Sequence, residues 1–317
     1  MVLSQPVPWH IAVGNINLDI SVSLDYYPLE DSHVFARSSW IGLGGAATNY
    51  AVAAASIGHR SSLVARAGGD AVKLGLIDEL SAKGVDIDYV RIIPHEKTGT
   101  VIVILVPGNS SRTIITIRGA NELLDADIIP KEKPDILHFA SVRPRIISSY
   151  CKRNNNNDVR ITYDPGGEAY RAGSEVIDVI SCAETIFLNE KELDALMRRV
   201  GVDDPLSLLK NRIQRIIIKH GAGGATLISR EILLTASPPR VETVDVTGAG
   251  DAFDAAFNAW MLETGDIVES LKAAVAAGAA KIVRRGSSNM PSRKSIERLM
   301  NLVKIEEVSG GLDSLFR

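Results

Sequence analysis

Residues 243–257, TVDVTGAGDAFDAAF, run from a β-branched stretch through three small residues into a helical pattern rich in Ala and Phe. The glycines permit a tight backbone turn, and the first amides of the helix that follows have no acceptor within it. Such amides can converge on an anion, and the helix dipole favours negative charge at the same place. The stretch therefore predicts a turn suited to a phosphate, built from the amides of Gly248, Ala249, Gly250 and Asp251.

The carboxylate that ends this turn has two interpretations. Asp251 would repel a bound phosphate unless it had a task, and the obvious task is to take a proton from a hydroxyl that attacks the phosphate. Alternatively, Asp251 is an ordinary acid of the first helical turn, which the helix dipole favours, and the glycines form a simple turn. This stretch by itself leaves both interpretations open.

Elsewhere in the chain, short apolar runs rich in β-branched residues alternate with helical patterns. Most of these runs are apolar on both faces, as expected of strands in a parallel sheet that helices cover on each side. The pattern predicts a doubly wound α/β fold with a mainly parallel sheet and helices on both faces. The predicted strands are residues 10–14, 62–66, 135–140, 159–164, 185–189 and 215–220.

Two segments, 17–41 and 98–118, instead alternate apolar and polar residues, and the second contains the turn signal PGNS between its arms. We expect them to form a small antiparallel sheet that stands off the main sheet and acts as a lid over a cleft or as a homodimer surface. The rest of the chain predicts one domain over 10–305 and a loosely held tail at 306–317.

Composition excludes several classes of protein. The 317 residues contain 35 Lys and Arg against 38 Asp and Glu, a net charge of −3 without a basic block, so nucleic acid and anionic membranes are not expected partners. Cys151 and Cys182 lie far apart without CxxC spacing, and the chain has no signal or membrane-spanning pattern, so we expect a cytoplasmic protein. The motifs G-x-x-x-x-G-K-S/T and H-E-x-x-H are absent, which argues against a P-loop enzyme and a zinc site.

The stretch GLGGAATNY begins with a second glycine turn. Gly42, Gly44 and Ala47 fit the spacing G-x-G-x-x-A of a dinucleotide-binding turn, so an NAD-dependent Rossmann dehydrogenase is one alternative. The preceding segment alternates with polar residues and lacks the apolar character of a central strand. We therefore prefer a close approach of this backbone to another ligand, with Asn49 as donor and acceptor.

Three further motifs each allow a structural and a functional interpretation. Asn189 and Glu192 follow a strand and fit a capping box, or Glu192 can be an outer Mg²⁺ ligand that acts through water. Lys219 and the glycines after it can line a nucleotide or form a hairpin turn. Asn17 and Asp19, two residues apart on a strand, suit either a polyhydroxyl ligand or a solvated strand face.

Together, the content and order of these motifs resemble the ribokinase family of carbohydrate kinases, also called the PfkB family, over roughly residues 10 to 300. DVTGAGDAF resembles the C-terminal signature D-T-x-G-A-G-D-x-F, with Val246 where Thr is common, and GGAATNYAVAAASIGHRSSLVARAGGD is similar to the N-terminal signature. The resemblance implies a ribokinase-like fold. It also implies ATP-dependent phosphorylation of a hydroxymethyl group on a sugar or sugar-like alcohol.

The resemblance implies a role for each motif. Asp251 would be the catalytic base, with the amides of Gly248, Ala249 and Gly250 as the anion hole for the γ-phosphate. The implied sugar contacts are Asn17, Asp19, Gly44, Gly45 and Asn49. The implied nucleotide contacts are Asn189, Lys219, Gly221, Gly224 and Thr247. Glu192 would hold Mg²⁺ through water, and Asp245 with the backbone near RRGSS would hold a monovalent cation such as K⁺.

Departures from the family pattern bear on the acceptor. Ribokinases proper usually read G-G-K-G-A-N, whereas Ala46 replaces the lysine here and Thr48 the alanine, and the usual acid after the strand LHFASVRP is missing, which argues against ribose. Arg118 and Arg143 can pair with a carboxylate or phosphate, which motivates an acidic sugar such as 2-keto-3-deoxygluconate as a hypothesis; alternatively, both are ordinary surface arginines. Small residues near Ala46 leave a nucleoside kinase open. A non-catalytic sensor is the remaining alternative, against which the intact GAGD and N-x-x-E motifs argue.

Overall fold

The computed structural model describes residues 6–106, 112–154, 159–171, 178–179, 182–209 and 212–308. Its strands are β1 (Trp9–Gly14), β2 (Asn17–Ser23), β3 (Ser38–Gly44), β4 (Arg60–Gly68), β5 (Val90–Ile93), β6 (Gly99–Leu105), β7 (Arg112–Ile117), β8 (Ile136–Ala140), β9 (Arg160–Asp164), β10 (Thr185–Asn189), β11 (Arg215–Lys219), β12 (Ala225–Ser229), β13 (Leu233–Ser237) and β14 (Lys304–Glu307). Its helices are α1 (Ala46–Ile57), α2 (Leu76–Ala82), α3 (Pro144–Arg153), α4 (Glu190–Val200), α5 (Ala249–Thr264), α6 (Ile267–Ile282) and α7 (Arg293–Met300).

A ten-stranded sheet forms the body, in the order β14-β13-β12-β11-β10-β9-β8-β1-β4-β5. The strands from β11 to β5 are parallel, and β12, β13 and β14 extend the sheet in antiparallel fashion. Each of the six predicted strands is present, and the predicted fold class is confirmed. Because β14 belongs to this sheet, the sheet reaches beyond the predicted boundary at 305, and residues 309–317 lie outside the described residues.

The two faces of the main sheet carry separate hydrophobic clusters. Along β1, Ala12 packs into the cluster that contains α1, α5 and α6, whereas Ile11 and Val13 pack into the cluster that contains α3 and α4. Successive side chains of a strand point to opposite faces, so a strand buried on both faces must be apolar throughout. This explains why the strand runs in the sequence are continuous rather than alternating.

The lid sheet consists of β3-β2-β6-β7. Each segment forms an antiparallel pair by itself, β2 with β3 and β6 with β7, but the two pairs join through parallel strands β2 and β6. The expectation of a purely antiparallel sheet was therefore wrong. The reason is that β2 follows β1 and β6 follows β5, and β1 and β5 run in the same direction. The PGNS turn lies outside the described residues.

A buried polar chain joins α1 to α5. The Tyr50 hydroxyl accepts a hydrogen bond from Asn258 Nδ2 at 2.9 Å and lies 2.8 Å from His10 Nδ1. The Tyr50 ring also stacks on His138, with ring centroids 3.9 Å apart. Burial leaves these polar groups dependent on one another, because an unpaired partner would be costly. The chain fixes the relative position of α1 and α5, which carry Asn49 and Asp251 respectively.

The two cysteines, whose spacing contributed to the expectation of a cytoplasmic protein, are paired with each other in the structure. Cys151 of α3 and Cys182 form a disulfide with Cα atoms 6.3 Å apart, although 31 residues separate them in the sequence. Disulfides are typical of oxidising compartments, with hyperthermophile proteins as an exception inside cells. None of the helices among the described residues has the length and apolar character needed to span a membrane.

Candidate active site

The predicted site residues gather at the carboxyl ends of the parallel strands. β9 ends at Asp164, β10 at Asn189 and β11 at Lys219, and the amino end of α5 lies beside them. In open α/β sheets, ligands bind outside the carboxyl ends of the strands. The topology therefore places the GAGD turn where a ligand is expected.

Gly248 shapes the GAGD turn. It is the N-cap of α5 with φ +82°, and a Cβ atom on it would lie 2.2 Å from the carbonyl oxygen of Ser287. A side chain would face both a left-handed backbone conformation and a backbone clash, so only glycine fits without movement. The turn thus rests directly on the loop that contains Ser287.

The amides of this turn are partly available to a ligand. The first hydrogen bond of the α5 ladder runs from Ala252 N to Gly248 O at 3.0 Å, which leaves the amides of Gly250 and Asp251 for water or an anion. The Ala249 amide instead donates to the carbonyl three residues before it, at 3.3 Å. The turn therefore offers fewer free amides to an anion than the four that were predicted.

Asp251 is a carboxylate with an unusual proton affinity. Burial raises the pKa of Asp251 to about 7, and the negative charge of Asp164 contributes to the rise. A hydrogen bond from Asn49 Nδ2 to Asp251 Oδ2, at 2.8 Å, and the Lys219 ammonium both oppose it. A carboxylate with this pKa can accept a proton near neutral pH and release it again, which suits a general base.

Lys219 lies beneath the turn in a buried ionic cluster that the sequence did not predict. Its Nζ atom lies 2.6 Å from Asp164 Oδ2 and 3.1 Å from Asp254 Oδ1, and a Cβ on Gly250 would be 3.3 Å from it. Burial raises the pKa of Asp254, whereas the Lys219 ammonium holds that of Asp164 below its usual value against the effect of burial. The two carboxyl groups fix the Lys219 ammonium close to the backbone of Gly250.

Two buried oxygens at the site need donors. Asp19 Oδ2 accepts a hydrogen bond from Ser287 Oγ at 2.8 Å, and burial raises the pKa of Asp19 to about 6. Among the residues that the structure describes, no group donates to Asp19 Oδ1 or Asn49 Oδ1, although both atoms are buried. Buried acceptors are costly when unpaired, and the hydroxyl groups of a ligand are suitable donors.

The glycines before α1 make room for Asp19. A Cβ on Gly44 would lie 2.0 Å from Asp19 Oδ2, and Gly45, with φ +105°, is the N-cap of α1. Gly42 and Gly44 belong to β3, an edge strand of the lid sheet that pairs antiparallel with β2. A dinucleotide turn needs a parallel strand before its glycines, so the NAD-dependent alternative has no support in the structure.

A small basic cavity adjoins Asn17, whose Oδ1 accepts a hydrogen bond from Asn121 Nδ2 at 2.8 Å. Arg118 pairs with Glu168, and Arg143 with Glu122. Burial lowers the pKa of Arg118, the charges of Arg171 and Arg143 lower it further, and the Glu122 carboxylate opposes the fall. Its lining consists of Asn15, Arg118, Asn121, Glu122, Leu124, Ser141, Val142, Arg143 and Ile146.

On the opposite side of the turn, Asn189 and Glu192 form the predicted capping box of α4. Glu192 Oε2 accepts from Asn189 N at 2.8 Å, and Asn189 Oδ1 accepts from Glu192 N at 2.9 Å. The described residues contain no group of three or more His, Cys, Asp or Glu side chains placed to hold a metal. A Mg²⁺ ion at Glu192 would thus need water and phosphate oxygens as further ligands, which fits the expected contact through water.

The glycines after Lys219 form a hairpin turn, which was one of the two alternatives predicted for them. Gly221 and Gly224 have φ of +59° and +94°, and His220 N donates to Gly224 O at 2.8 Å. A Cβ on Gly224 would lie 1.8 Å from the carbonyl oxygen of Ala236. The hairpin accounts for these glycines, and the nucleotide contact of Lys219, Gly221 and Gly224 stays a prediction.

A lysine ammonium lies where a monovalent cation was expected. The side chain of Asp245 accepts from Thr247 N and Gly286 N, each at 2.9 Å. Lys281 Nζ donates to the carbonyl oxygens of Asp245 and Arg284 at 3.3 and 3.2 Å. The family resemblance assigns K⁺ to Asp245 and the backbone near RRGSS. Two backbone oxygens there already have the Lys281 ammonium as a cationic partner. The described residues therefore do not fit an added K⁺ at these two oxygens.

Known proteins with similar sequences and folds are sugar and nucleoside kinases. The chain is 30% identical to the ribokinase of Bacillus subtilis (strain 168) over 302 residues, which is 91% of this chain and 98% of the relative. It is 28% identical to the ATP-dependent ribose-1-phosphate kinase of Halopiger xanaduensis over 299 residues, 92% of this chain and 97% of the relative. The fold is shared with the nucleoside kinase of Methanocaldococcus jannaschii, with a TM-score of 0.84 at 19% identity over 93% of this chain and 98% of that one.

The family match extends over residues 11–294, from β1 into α7, and so includes the lid, the GAGD turn and the capping box of α4. The chain belongs to the pfkB family of carbohydrate kinases.

Proposed function

We propose that this kinase transfers the γ-phosphoryl group of ATP to a hydroxymethyl group of a sugar or sugar-like alcohol, with Asp251 as the catalytic base. The observation that carries the proposal is the half-buried Asp251 carboxylate, whose pKa is raised to about 7 and which directly follows the amides of the GAGD turn. An acid that only capped a helix would gain nothing from burial, because burial disfavours its charged form.

The reaction requires one proton transfer and one exchange of bonds at phosphorus. Asp251 takes the proton of the acceptor hydroxyl as its oxygen bonds to the γ-phosphorus, and the bond from that phosphorus to the bridging oxygen of ADP breaks. The amides of Gly250 and Asp251 stabilise the negative charge, and Asn49 orients the Asp251 carboxylate through its 2.8 Å hydrogen bond. Mg²⁺, held through water near Glu192, supplies positive charge to the phosphates when bound.

The acceptor binds beside the lid. Asp19 Oδ1 and Asn49 Oδ1, the two buried oxygens that need donors, would accept hydrogen bonds from acceptor hydroxyls. Asn17, Gly44 and Gly45 line the same side, since Asn17 pairs with Gly44 in the lid sheet. Asn189, Thr247, Lys219, Gly221 and Gly224 are proposed for the nucleotide.

The basic cavity supports an acceptor that carries an anionic group. Arg118 and Arg143 lie 25 positions apart in the sequence, yet both line the cavity next to Asn121, which binds Asn17. Guanidinium groups bind carboxylates and phosphates in two-point geometry. One relative acts on ribose 1-phosphate by its name, so a sugar phosphate and a sugar acid are both acceptors of the proposed class.

An ADP-release screen over neutral sugars, sugar acids, sugar phosphates and nucleosides tests this proposal. We expect the anionic sugars to be preferred, and Arg143→Met to raise their KM by about 10- to 100-fold while KM for neutral acceptors stays unchanged. Arg145→Met, an exposed arginine of α3 two residues away, is the matched control and should change neither. If Arg143→Met changed KM equally for neutral and anionic acceptors, the proposal of an anionic group would be wrong. A preference for nucleosides would favour the nucleoside kinase. Absence of acceptor-dependent ADP release would contradict the kinase activity.

We also propose that the lid sheet forms a homodimer contact and covers the reaction site. Its strands expose the apolar side chains of Ile41, Ile114, Ile115 and Ile117, which suits a homodimer joined through the lid sheets. Light scattering on the full chain would distinguish one copy from two. Within this arrangement, residues 10–305 would act as one kinase domain that the lid segments cover, which would exclude water from the reacting phosphate.

A further inference from the structure

Lys281 is a fully buried lysine at the end of α6. None of its surface is exposed, and its ammonium donates to the carbonyl oxygens of Asp245 and Arg284 at 3.3 and 3.2 Å. A buried charge is costly unless it is paired and hydrogen-bonded, so an unused lysine at this position would be destabilising. The position therefore calls for an explanation beyond packing.

The two carbonyl oxygens belong to different segments of the site. Asp245 begins the stretch that leads to the GAGD turn, and Arg284 begins the loop that contains Ser287. The Asp245 side chain joins the same segments, because it accepts from Thr247 N on one and from Gly286 N on the other. Lys281 thus lies at the junction of the anion turn and the loop on which Gly248 rests.

The charges around Lys281 suit a cation. Burial lowers the pKa of the Lys281 ammonium and Arg284 contributes to the fall, whereas the carboxylates of Asp245 and Asp251 oppose it. Residue 281 is also in the last turn of α6, and the carboxyl end of a helix carries partial negative charge. One positive charge at this point offsets two carboxylates and a helix end.

We propose that the Lys281 ammonium acts as a tethered monovalent cation that holds the anion turn against the loop of residues 284–288, so that phosphoryl transfer needs no added K⁺. Carbonyl oxygens are the ligands that K⁺ prefers, and an ammonium supplies the same single charge to the same oxygens. Lys281 is a positioning residue, since it acts on the reaction through the turn. The catalytic part of this proposal rests on the proposed kinase function.

The first test compares the wild-type protein in potassium chloride and in choline chloride at equal ionic strength. We expect kcat to differ by less than about two-fold between the salts, because the cation is part of the chain. The midpoint of thermal unfolding, which needs no acceptor, should also be the same in both salts. A loss of about ten-fold or more in kcat, or a lower midpoint, without K⁺ would overturn the proposal.

The second test uses Lys281→Ala, which removes the tethered charge. We expect kcat of this variant in choline chloride to be about 100-fold lower than that of the wild type. Added K⁺ or NH₄⁺ should raise kcat of the variant by at least about ten-fold and should also raise its unfolding midpoint. Lys272→Ala on the same helix, where the ammonium pairs with Glu269 at 2.7 Å on the surface, is the matched control and should respond to neither salt.

The outcomes separate this proposal from the proposed function. Lys281→Ala with wild-type kcat in choline would overturn the positioning role, whatever the acceptor. If no acceptor is phosphorylated, the unfolding midpoints of wild type and variant still decide whether K⁺ replaces the ammonium. If Lys281→Ala does not fold, Lys281→Gln keeps a donor without the charge and takes its place, and the wild-type comparison is unaffected.

Discussion

Replacement of Asp251 by Asn is expected to lower kcat by about 10²- to 10⁴-fold, the range that a positioned general base contributes. Asn has the shape of Asp but cannot accept the proton of the acceptor hydroxyl near neutral pH. Its side-chain oxygen still accepts the hydrogen bond from Asn49 Nδ2 that Asp251 Oδ2 accepts at 2.8 Å. The fold and ATP binding should therefore survive, and the loss should appear in kcat measured by ADP release with saturating acceptor and ATP.

The control for this substitution is Asp194→Asn. Asp194 is an exposed acid of α4 whose carboxylate lies 3.7 Å from Arg198, so the change removes the same charge far from the reacting groups. It should alter kcat by less than about two-fold, since exposed ion pairs contribute little. If Asp251→Asn kept more than about a tenth of the wild-type kcat, Asp251 would not be the base.

Gly248→Ala is expected to lower kcat by about 10²-fold through the shape of the anion turn. The added Cβ would lie 2.2 Å from the carbonyl oxygen of Ser287, and the φ of +82° strains any residue with a side chain. The turn must shift, and the amides of Gly250 and Asp251 move with it. Because an anion hole acts on the transition state, we expect a larger change in kcat than in KM for the acceptor.

Gly278→Ala provides the matched control for the turn. Gly278 lies within α6, where an added Cβ would meet the carbonyl oxygen of Ala249 at 3.7 Å, an ordinary contact. This variant adds the same methyl group to the other side of the same turn and should leave kcat unchanged. Equal kcat values for Gly248→Ala and Gly278→Ala would show that the geometry of the GAGD turn does not limit the reaction.

The core of the fold could be predicted from the sequence because its strands are apolar on both faces. Ile11, Ala12 and Val13 are adjacent, yet they enter two different hydrophobic clusters, and only a covered parallel sheet requires such a run. The direction of the β2–β6 pair could not be predicted, since it depends on the common direction of β1 and β5 rather than on local pattern. The Cys151–Cys182 disulfide depends in the same way on the packing of distant segments.

The site shows the same division between local and long-range features. Asp251 stands in a recognisable turn, and the Asn189 capping box follows from spacing alone. The cluster of Lys219 with Asp164 and Asp254 joins residues 55 and 35 positions apart, and no local pattern indicates that two strands and a helix bring them together. From the sequence, Lys281 is one of several polar residues in an alanine-rich helix, and only its carbonyl partners in the structure indicate a further role.

The pH dependence of kcat for the wild-type protein tests the assignment of Asp251 most directly. The base must be ionised to accept a proton, and burial raises the pKa of Asp251 to about 7, so kcat should be constant above this pH. Below it, kcat should fall by about ten-fold per pH unit. Asp194→Asn should keep this profile, and the residual rate of Asp251→Asn should lose it. A wild-type kcat that stays constant well below neutral pH, while the protein remains folded, would contradict Asp251 as a base with a raised pKa.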